Sequence, residues 1–144
     1  MHALWNPRYS PDAKWMTFNA NFASRSWVFV APLPPAGKRV PESAWIPVSQ
    51  ENWADCPRWS PDGNSLYFLS DRDGFRCIWT QRLDRVTKRP AGPATAAFHS
   101  HGARLSLGNI SMGDLEISVA RDKLVFNMGE RTGNIWMATI GAKP

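Results

Sequence analysis

The sequence predicts an all-β protein, a partial β-propeller of about three four-stranded antiparallel blades, the last lacking its outer strand. Three observations carry this. A run of turn and strand signals recurs every 50 to 58 residues, from Ser10 to Ser60 to Ser118. In each copy the serine precedes a phenylalanine by eight positions (Phe18, Phe68, Phe126), and a tryptophan follows the serine by 17, 19 and 18 (Trp27, Trp79, Trp136). Twelve prolines and ten glycines leave no long stretch of helical period. Four short strands per repeat match a propeller blade better than a sandwich pair, and a unit unable to bury its own faces needs neighbours.

Each copy begins with an inner strand that ends at its serine. In Ser60-Pro61-Asp62-Gly63 the proline presets φ, the aspartate can bond its own backbone, and the glycine accepts positive φ, so the chain turns back. The second strand runs through Phe68. Leu66, Phe68 and Ser70 alternate with Tyr67 and Leu69, a pattern apolar on both faces that predicts a strand covered on both sides. Ser70 to Gly74 reads as the next turn and Phe75 to Leu83 as the third strand. Outer strands are expected at Ala44 to Val48 and Ala94 to Phe98. In the first copy Ala13 stands where the glycine is, so its turn must close differently; in the third, Val119-Ala120-Arg121 replaces Pro-Asp-Gly. The repeats divide the chain into residues 1–50, 51–108 and an incomplete 109–144.

Composition supports a packed core, with 43% hydrophobic residues in 144. Eight tryptophans stand against two tyrosines. Trp59, Trp79 and Trp136 fall at repeat positions suited to packing between sheets, whereas Trp5, Trp45 and Trp53 sit nearer turns, where an aromatic side chain can anchor a partner. The net charge of +5 is spread along the chain. Its densest cluster, Arg82 to Arg89, reads as a solvated turn, and the aromatic platform of an RNA-binding sheet is missing, so no nucleic-acid partner is expected. No apolar run is long enough to span a membrane. Cys56 and Cys77 fall on the first and third strands of one sheet, about 9.5 Å apart, which predicts two free thiols.

No Gly-rich phosphate loop, Cys-x-x-Cys pair, Gly-x-Ser-x-Gly elbow or His-Glu-x-x-His helix occurs, so the residues predict neither an enzyme nor a cofactor. His99 and His101 share one face if extended and with a third ligand could hold zinc or copper. His2 is the only other histidine, and no metal site is expected. Asp71 and Asp73 bracket a turn before Gly74, which accounts for them without calcium or acid–base chemistry. In a propeller, the loops between second and third strands share a face with those leaving each outer strand. That places Asn19 to Ser24, Glu51 to Asp55, Asp71 to Asp73, His99 to Arg104 and Glu130 to Thr132 on one polar surface. Asn21, Trp53, Asp71, Arg72, Asp73, His99, His101, Arg104, Glu130 and Arg131 are its candidate contacts for a protein or peptide.

Pro57-Arg58-Trp59-Ser60-Pro61-Asp62-Gly63, with Phe68, the Asp71–Gly74 spacing and Ile78-Trp79, resembles the TolB-type WD-like β-propeller repeat. The segment from Ser70 to Trp79 and the ending through Gly133-Asn134-Ile135-Trp136-Met137 are similar to the C-terminal blades of propellers attached to bacterial receptor-like serine/threonine kinases and winged-helix regulators. The resemblance implies a non-catalytic binding or sensor module, extracytoplasmic in the kinases. It also implies an alternative, the sensor or substrate-gating propeller of a larger kinase or prolyl-oligopeptidase-type peptidase whose catalytic domain lies outside these residues. Three blades do not comfortably close a ring, so the remaining blades of a longer propeller, or a second copy of the chain, are the expected structural partners.

Overall fold

A computed structural model describes residues 2–22, 25–50 and 53–138. The expected surface positions Ala23, Ser24, Glu51 and Asn52 lie outside the described residues. The chain is all-β. Apart from two single 3-10 turns, Glu42–Ala44 and Leu107–Asn109, the described residues form strands, turns and irregular connections. The first sheet comprises β1 (Leu4–Tyr9), β2 (Trp15–Phe22), β3 (Arg25–Pro32) and β4 (Ile46–Ser49), antiparallel and adjacent in chain order. The second repeats that topology with β5 (Ala54–Trp59), β6 (Ser65–Ser70), β7 (Cys77–Arg82) and β8 (Thr95–Phe98). Then come β9 (Leu105–Ser106), β10 (Ile117–Val119), β11 (Leu124–Phe126) and β12 (Gly129–Glu130), which form two small pairs, β10 with β11 and β9 with β12.

A shift of 50 residues superimposes the pairing of the first sheet's three inner strands on that of the second, and the outer strand follows with a shift of 49. Phe18 faces Phe29 as Phe68 faces Trp79. The ladder slips between Trp5 and Arg8 as it does between Asp55 and Arg58. At both bulges the residue before the proline is left-handed, Asn6 at φ 53° and Cys56 at φ 52°. This register shows that Trp79 matches Phe29 rather than Trp27. The tryptophan landmark therefore slides by two residues, which keeps it on the same face because strand side chains alternate with period two.

The serine turns are also equivalent, contrary to the expectation for the first. The Ser10 N–H donates to the Trp15 carbonyl (2.8 Å) and the Ala13 N–H to Ser10 (2.9 Å), as Ser60 does to Ser65 (2.9 Å) and Gly63 to Ser60 (2.9 Å). The serine hydroxyl donates to the aspartate in both, Ser10 to Asp12 at 2.6 Å and Ser60 to Asp62 at 2.5 Å. Ala13 adopts φ 54° to match Gly63 at 68°. The turn is conserved in shape and the alanine carries the strain.

The third copy departs further. Ala120 N–H donates to the Lys123 carbonyl (2.9 Å), and Ser118 pairs with Val125. This hairpin is two residues tighter than the others, so Ser118 occupies the place of Arg58 and not of Ser60. No third strand forms through Trp136. After Glu130 pairs with β9, residues 131–138 have no ladder partner, and Trp136, expected in the core, is 87% exposed. Without a strand to hold it against a neighbouring sheet, its ring has nothing to pack on.

Packing follows from the alternation. On β6, Leu66 and Phe68 turn toward the first sheet and join Val28, Val30, Val48, Ala54 and Trp59. Leu69 turns the other way, and with Cys56 and Ile78 packs on Leu107, Leu115 and Ile117 beneath the β10–β11 hairpin. The first sheet has a second apolar face of its own, built on Phe18, Ala20, Phe29 and Ala31. Trp79 sits half-buried at the margin of the inter-sheet core. Directional bonds tie the inner strands together. The Trp59 indole donates to the Arg8 carbonyl (3.2 Å), Asn19 Nδ2 to the Ala54 carbonyl (3.0 Å), and Arg58 Nε to the Ile117 carbonyl (2.8 Å). Lys88, expected in a solvated patch, is buried, and its ammonium donates to the Gly63 carbonyl at 2.8 Å.

Replacing Ala13 by glycine relieves the left-handed alanine and is expected to stabilise the protein by about 0.5–1 kcal/mol in urea unfolding; Gly63→Ala is expected to cost about 1 kcal/mol. Equal and opposite shifts would match one shared geometry, whereas a destabilising Ala13→Gly would contradict it. A second expectation concerns acid. The Ser60 hydroxyl and the Asn64 backbone hold the Asp62 carboxyl down at about 2, and Ser10 and Lys14 likewise depress Asp12. Carboxyls depressed in the folded state favour folding above their ordinary value of 3.8, and that contribution is lost as pH falls through about 2. Urea midpoints measured from pH 5 to 2 should therefore fall less steeply in the Asp12→Asn/Asp62→Asn protein than in the parent.

Candidate functional site at the loop end of the second sheet

The end of the second sheet gathers the most chemically diverse side chains. β6 ends at Ser70 and β7 begins at Cys77, so residues 71–76 turn at the same end at which β8 stops at Phe98. The turn is closed by the Gly74 N–H donating to the Asp71 carbonyl (2.8 Å) and by the Phe75 N–H donating to Asp73 Oδ1 (3.2 Å). That leaves Asp73 Oδ2 facing the segment that follows β8. Ser100 is buried there, its hydroxyl accepting from the Leu107 N–H (2.8 Å). Ser100 is drawn inward, while His99 and His101 on either side of it are exposed.

Both rings converge on Asp73 Oδ2. His99 Nδ1 lies 3.1 Å and His101 Nε2 2.9 Å from it, and the two ring nitrogens are 3.2 Å apart. Cys77 Sγ is 3.5 Å from the same oxygen and accepts from the Ser100 N–H at 3.2 Å. Phe75 stacks on the His101 ring (4.4 Å between centroids), and Trp79 meets His99 edge-on (5.9 Å). The histidine side chains are 55% and 46% exposed and that of Asp73 is 21% exposed, so the cluster sits at a mouth rather than in the core. Burial pushes the Asp73 carboxyl up, but hydrogen bonds from His101, the Phe75 N–H and Cys77 outweigh it and hold the group below its ordinary value. Burial raises the Cys77 thiol, opposed by the Ser100 N–H.

The other sequence-predicted contacts divide into separate groups. Arg72 lies over the Trp79 ring (4.8 Å) and Phe68 ring (5.4 Å), with Nη2 3.4 Å from Ser49 Oγ across the inter-sheet seam. Trp53 is half-buried against the core beneath the hairpin and lies under Arg76 (5.5 Å). Arg104 Nε donates to Glu130 at 2.8 Å, and the Arg131 N–H donates to the Arg104 carbonyl (2.8 Å). The Asn21 carbonyl meets His2 Nδ1 (2.7 Å), and Asp71 is exposed. Sequence reasoning found Asp73, His99 and His101 without seeing that they meet. It missed Cys77, considered only as half of a disulfide. The signal was there: Asp73 and Cys77 flank a turn that brings residues four apart together.

A second polar centre lies where the inner strands meet. Asp55 is buried and accepts from Asn6 Nδ2 (2.9 Å), the Cys56 N–H (2.6 Å) and, more distantly, the Trp5 indole (3.4 Å). All three donors are neutral. Beside it, burial and then the Asp55 charge push the Cys56 thiol up to about 11. Both cysteines are free and buried.

On the outer face of the first sheet is a groove of about 390 Å³, whose lining includes Leu4, Trp5, Met16, Phe18 and Trp45, with Lys38 and Arg39 also contributing. No helix among the described residues is long and apolar enough to cross a membrane. Comparison of the chain with protein-family models and with curated proteins yields no match.

Cys56 provides a test of the inner-strand packing. In the Cys77→Ser protein at pH 8, its reaction with a thiol reagent should be at least about 100-fold slower when folded than in urea, from thiolate fraction alone. The sign for stability follows: the unfolded thiol ionises near 9.0 and the folded one near 11, so stability should decline as pH rises between them. Equal rates in the two states would show that Cys56 is not sequestered.

Proposed function

We propose that the chain is a partial β-propeller of the TolB-like, WD-like kind and serves as a non-catalytic binding module, joining protein partners through stacked sheets and their loop ends. One observation carries the reading. The 50-residue shift maps Phe18 onto Phe68 and Met16 onto Leu66, residues with which the second sheet packs on the first. By that equivalence the groove at Leu4, Trp5, Phe18 and Trp45 is the seat of another sheet of the same kind, from further blades or a second copy. A sheet apolar on both faces lowers its free energy by acquiring a layer on each.

Sedimentation equilibrium of the purified chain tests this directly. Association that strengthens with concentration, and that Met16→Asp weakens while leaving the far-UV circular dichroism unchanged, is the expected result. A strict monomer at high micromolar concentration, with Met16→Asp affecting neither mass nor stability, would count against the groove as a stacking seat.

A further inference from the structure

We propose that Asp73, Cys77, His99 and His101 form a binding site for a zinc ion. The four ligand atoms, one carboxylate oxygen, one sulfur and two imidazole nitrogens, all lie within 4.8 Å of one another. Four donors of this kind are the set a tetrahedral zinc site takes, and one thiolate with two imidazoles favours zinc over magnesium or calcium, which prefer oxygen.

Four of the six distances between the ligand atoms come within about 0.4 Å of the spacing expected for a tetrahedral zinc site, and the two from Cys77 Sγ to the imidazole nitrogens are no longer than 4.8 Å. Zinc bonds of about 2.0–2.1 Å to nitrogen or oxygen at tetrahedral angles separate the ligand atoms by roughly 3.3 Å, and a 2.3 Å bond to sulfur lengthens an edge to roughly 3.5 Å. The observed edges are 2.9, 3.1 and 3.2 Å among Asp73 Oδ2, His101 Nε2 and His99 Nδ1, and 3.5 Å from Cys77 Sγ to the carboxylate. Hydrogen bonding alone satisfies this arrangement poorly. If both ring nitrogens donate to one carboxylate oxygen, two hydrogens are forced together between nitrogens 3.2 Å apart. A single dication, with the Cys77 thiol proton released to solvent and each neutral imidazole carrying its hydrogen on the other ring nitrogen, accepts all four lone pairs.

The surroundings hold the donors in place before any ion arrives. Asp73 Oδ1 is fixed by the Phe75 N–H, and the Ser100 N–H donates to the sulfur, a contact that stabilises a thiolate. Phe75 and Trp79 constrain the two rings. The exposed histidine edges leave a path for the ion. With four protein donors the site is closed to substrate, so its role is structural. It clamps the β6–β7 turn to the segment after β8, and through Ser106 to the β9–β12 pair.

Cobalt(II) and zinc(II) titrations of the full chain under reducing conditions test the proposal. One cobalt per chain should bind, giving the intense d–d bands of four-coordinate cobalt and a thiolate charge-transfer band, both abolished by one equivalent of zinc, with Tm rising as zinc is added. His101→Ala should weaken binding beyond the ~10–100-fold that outer-shell changes cost. Cys77→Ser should remove the charge-transfer band, and His2→Ala, a histidine outside the cluster, should change nothing. Absence of stoichiometric binding would overturn the proposal. So would cobalt binding without the thiolate band in the parent chain, or undiminished affinity in a His99→Ala/His101→Ala protein whose far-UV circular dichroism is native.

Discussion

The second sheet is apolar on both faces, and the rest of the molecule is arranged to satisfy that condition. Leu66 and Phe68 cannot be buried by the surface that buries Leu69, because neighbouring side chains on a strand point oppositely. The sheet must therefore be a middle layer, with the first sheet on one side and the β10–β11 hairpin on the other. Each fully buried leucine or phenylalanine side chain contributes about 1.5–3 kcal/mol, so this requirement outweighs any single turn or ion pair. The small hairpin, too short to bury its own residues, gains its cover from the same contact.

Apolar contact brings layers together without fixing their relative orientation. Here orientation comes from bonds at the inner edge, where Trp59 reaches Arg8, Asn19 reaches Ala54 and Arg58 reaches Ile117. These bonds link β1 to β5, β2 to β5 and β5 to β10, so one edge of every layer is tied to the next. The repeated bulges at Asn6 and Cys56 belong to the same seam. Where the extra residue kinks the inner strand, Asn6 of the first sheet meets Asp55 of the second. A buried polar group without its partner costs about 1–3 kcal/mol, which penalises a misaligned stack.

Much of this was legible in the sequence because two sources of information agreed. Turn chemistry at Ser60-Pro61-Asp62-Gly63 and period-two alternation after it fixed β5 to β7, and the outer strands formed within two residues of their expected places. The failures share a cause. Intrinsic preference argues against Ala13 at a positive φ, but its side chain tolerates a left-handed backbone once Ser10, Asp12 and the flanking strands impose the turn. Ser118 and Trp136 matched the repeat by spacing alone. Spacing counts residues, whereas a ladder requires a partner strand, and residues 131–138 have none. Composition alone places Lys88 in a charged surface, because it cannot reveal a carbonyl, Gly63's, that the long side chain reaches within its own sheet.

The loop end shows why a site can escape a reading of motifs. Its residues come from three places, a turn, the first position of a strand and the segment after another strand, and only the pairing of β7 with β8 brings them together. What aims them is Ser100. Its buried hydroxyl takes the Leu107 N–H and also lies 3.3 Å from Ser106 Oγ, which holds its side chain inward while the exposed His99 and His101 on either side of it meet at Asp73. A single small polar residue, chosen by the interior, sets the direction of two larger ones outside. The same residue's N–H reaches the Cys77 sulfur, so the element that orients the imidazoles also conditions the thiol. The site is a product of how the second sheet terminates, and its geometry is as firm as the burial of that one serine.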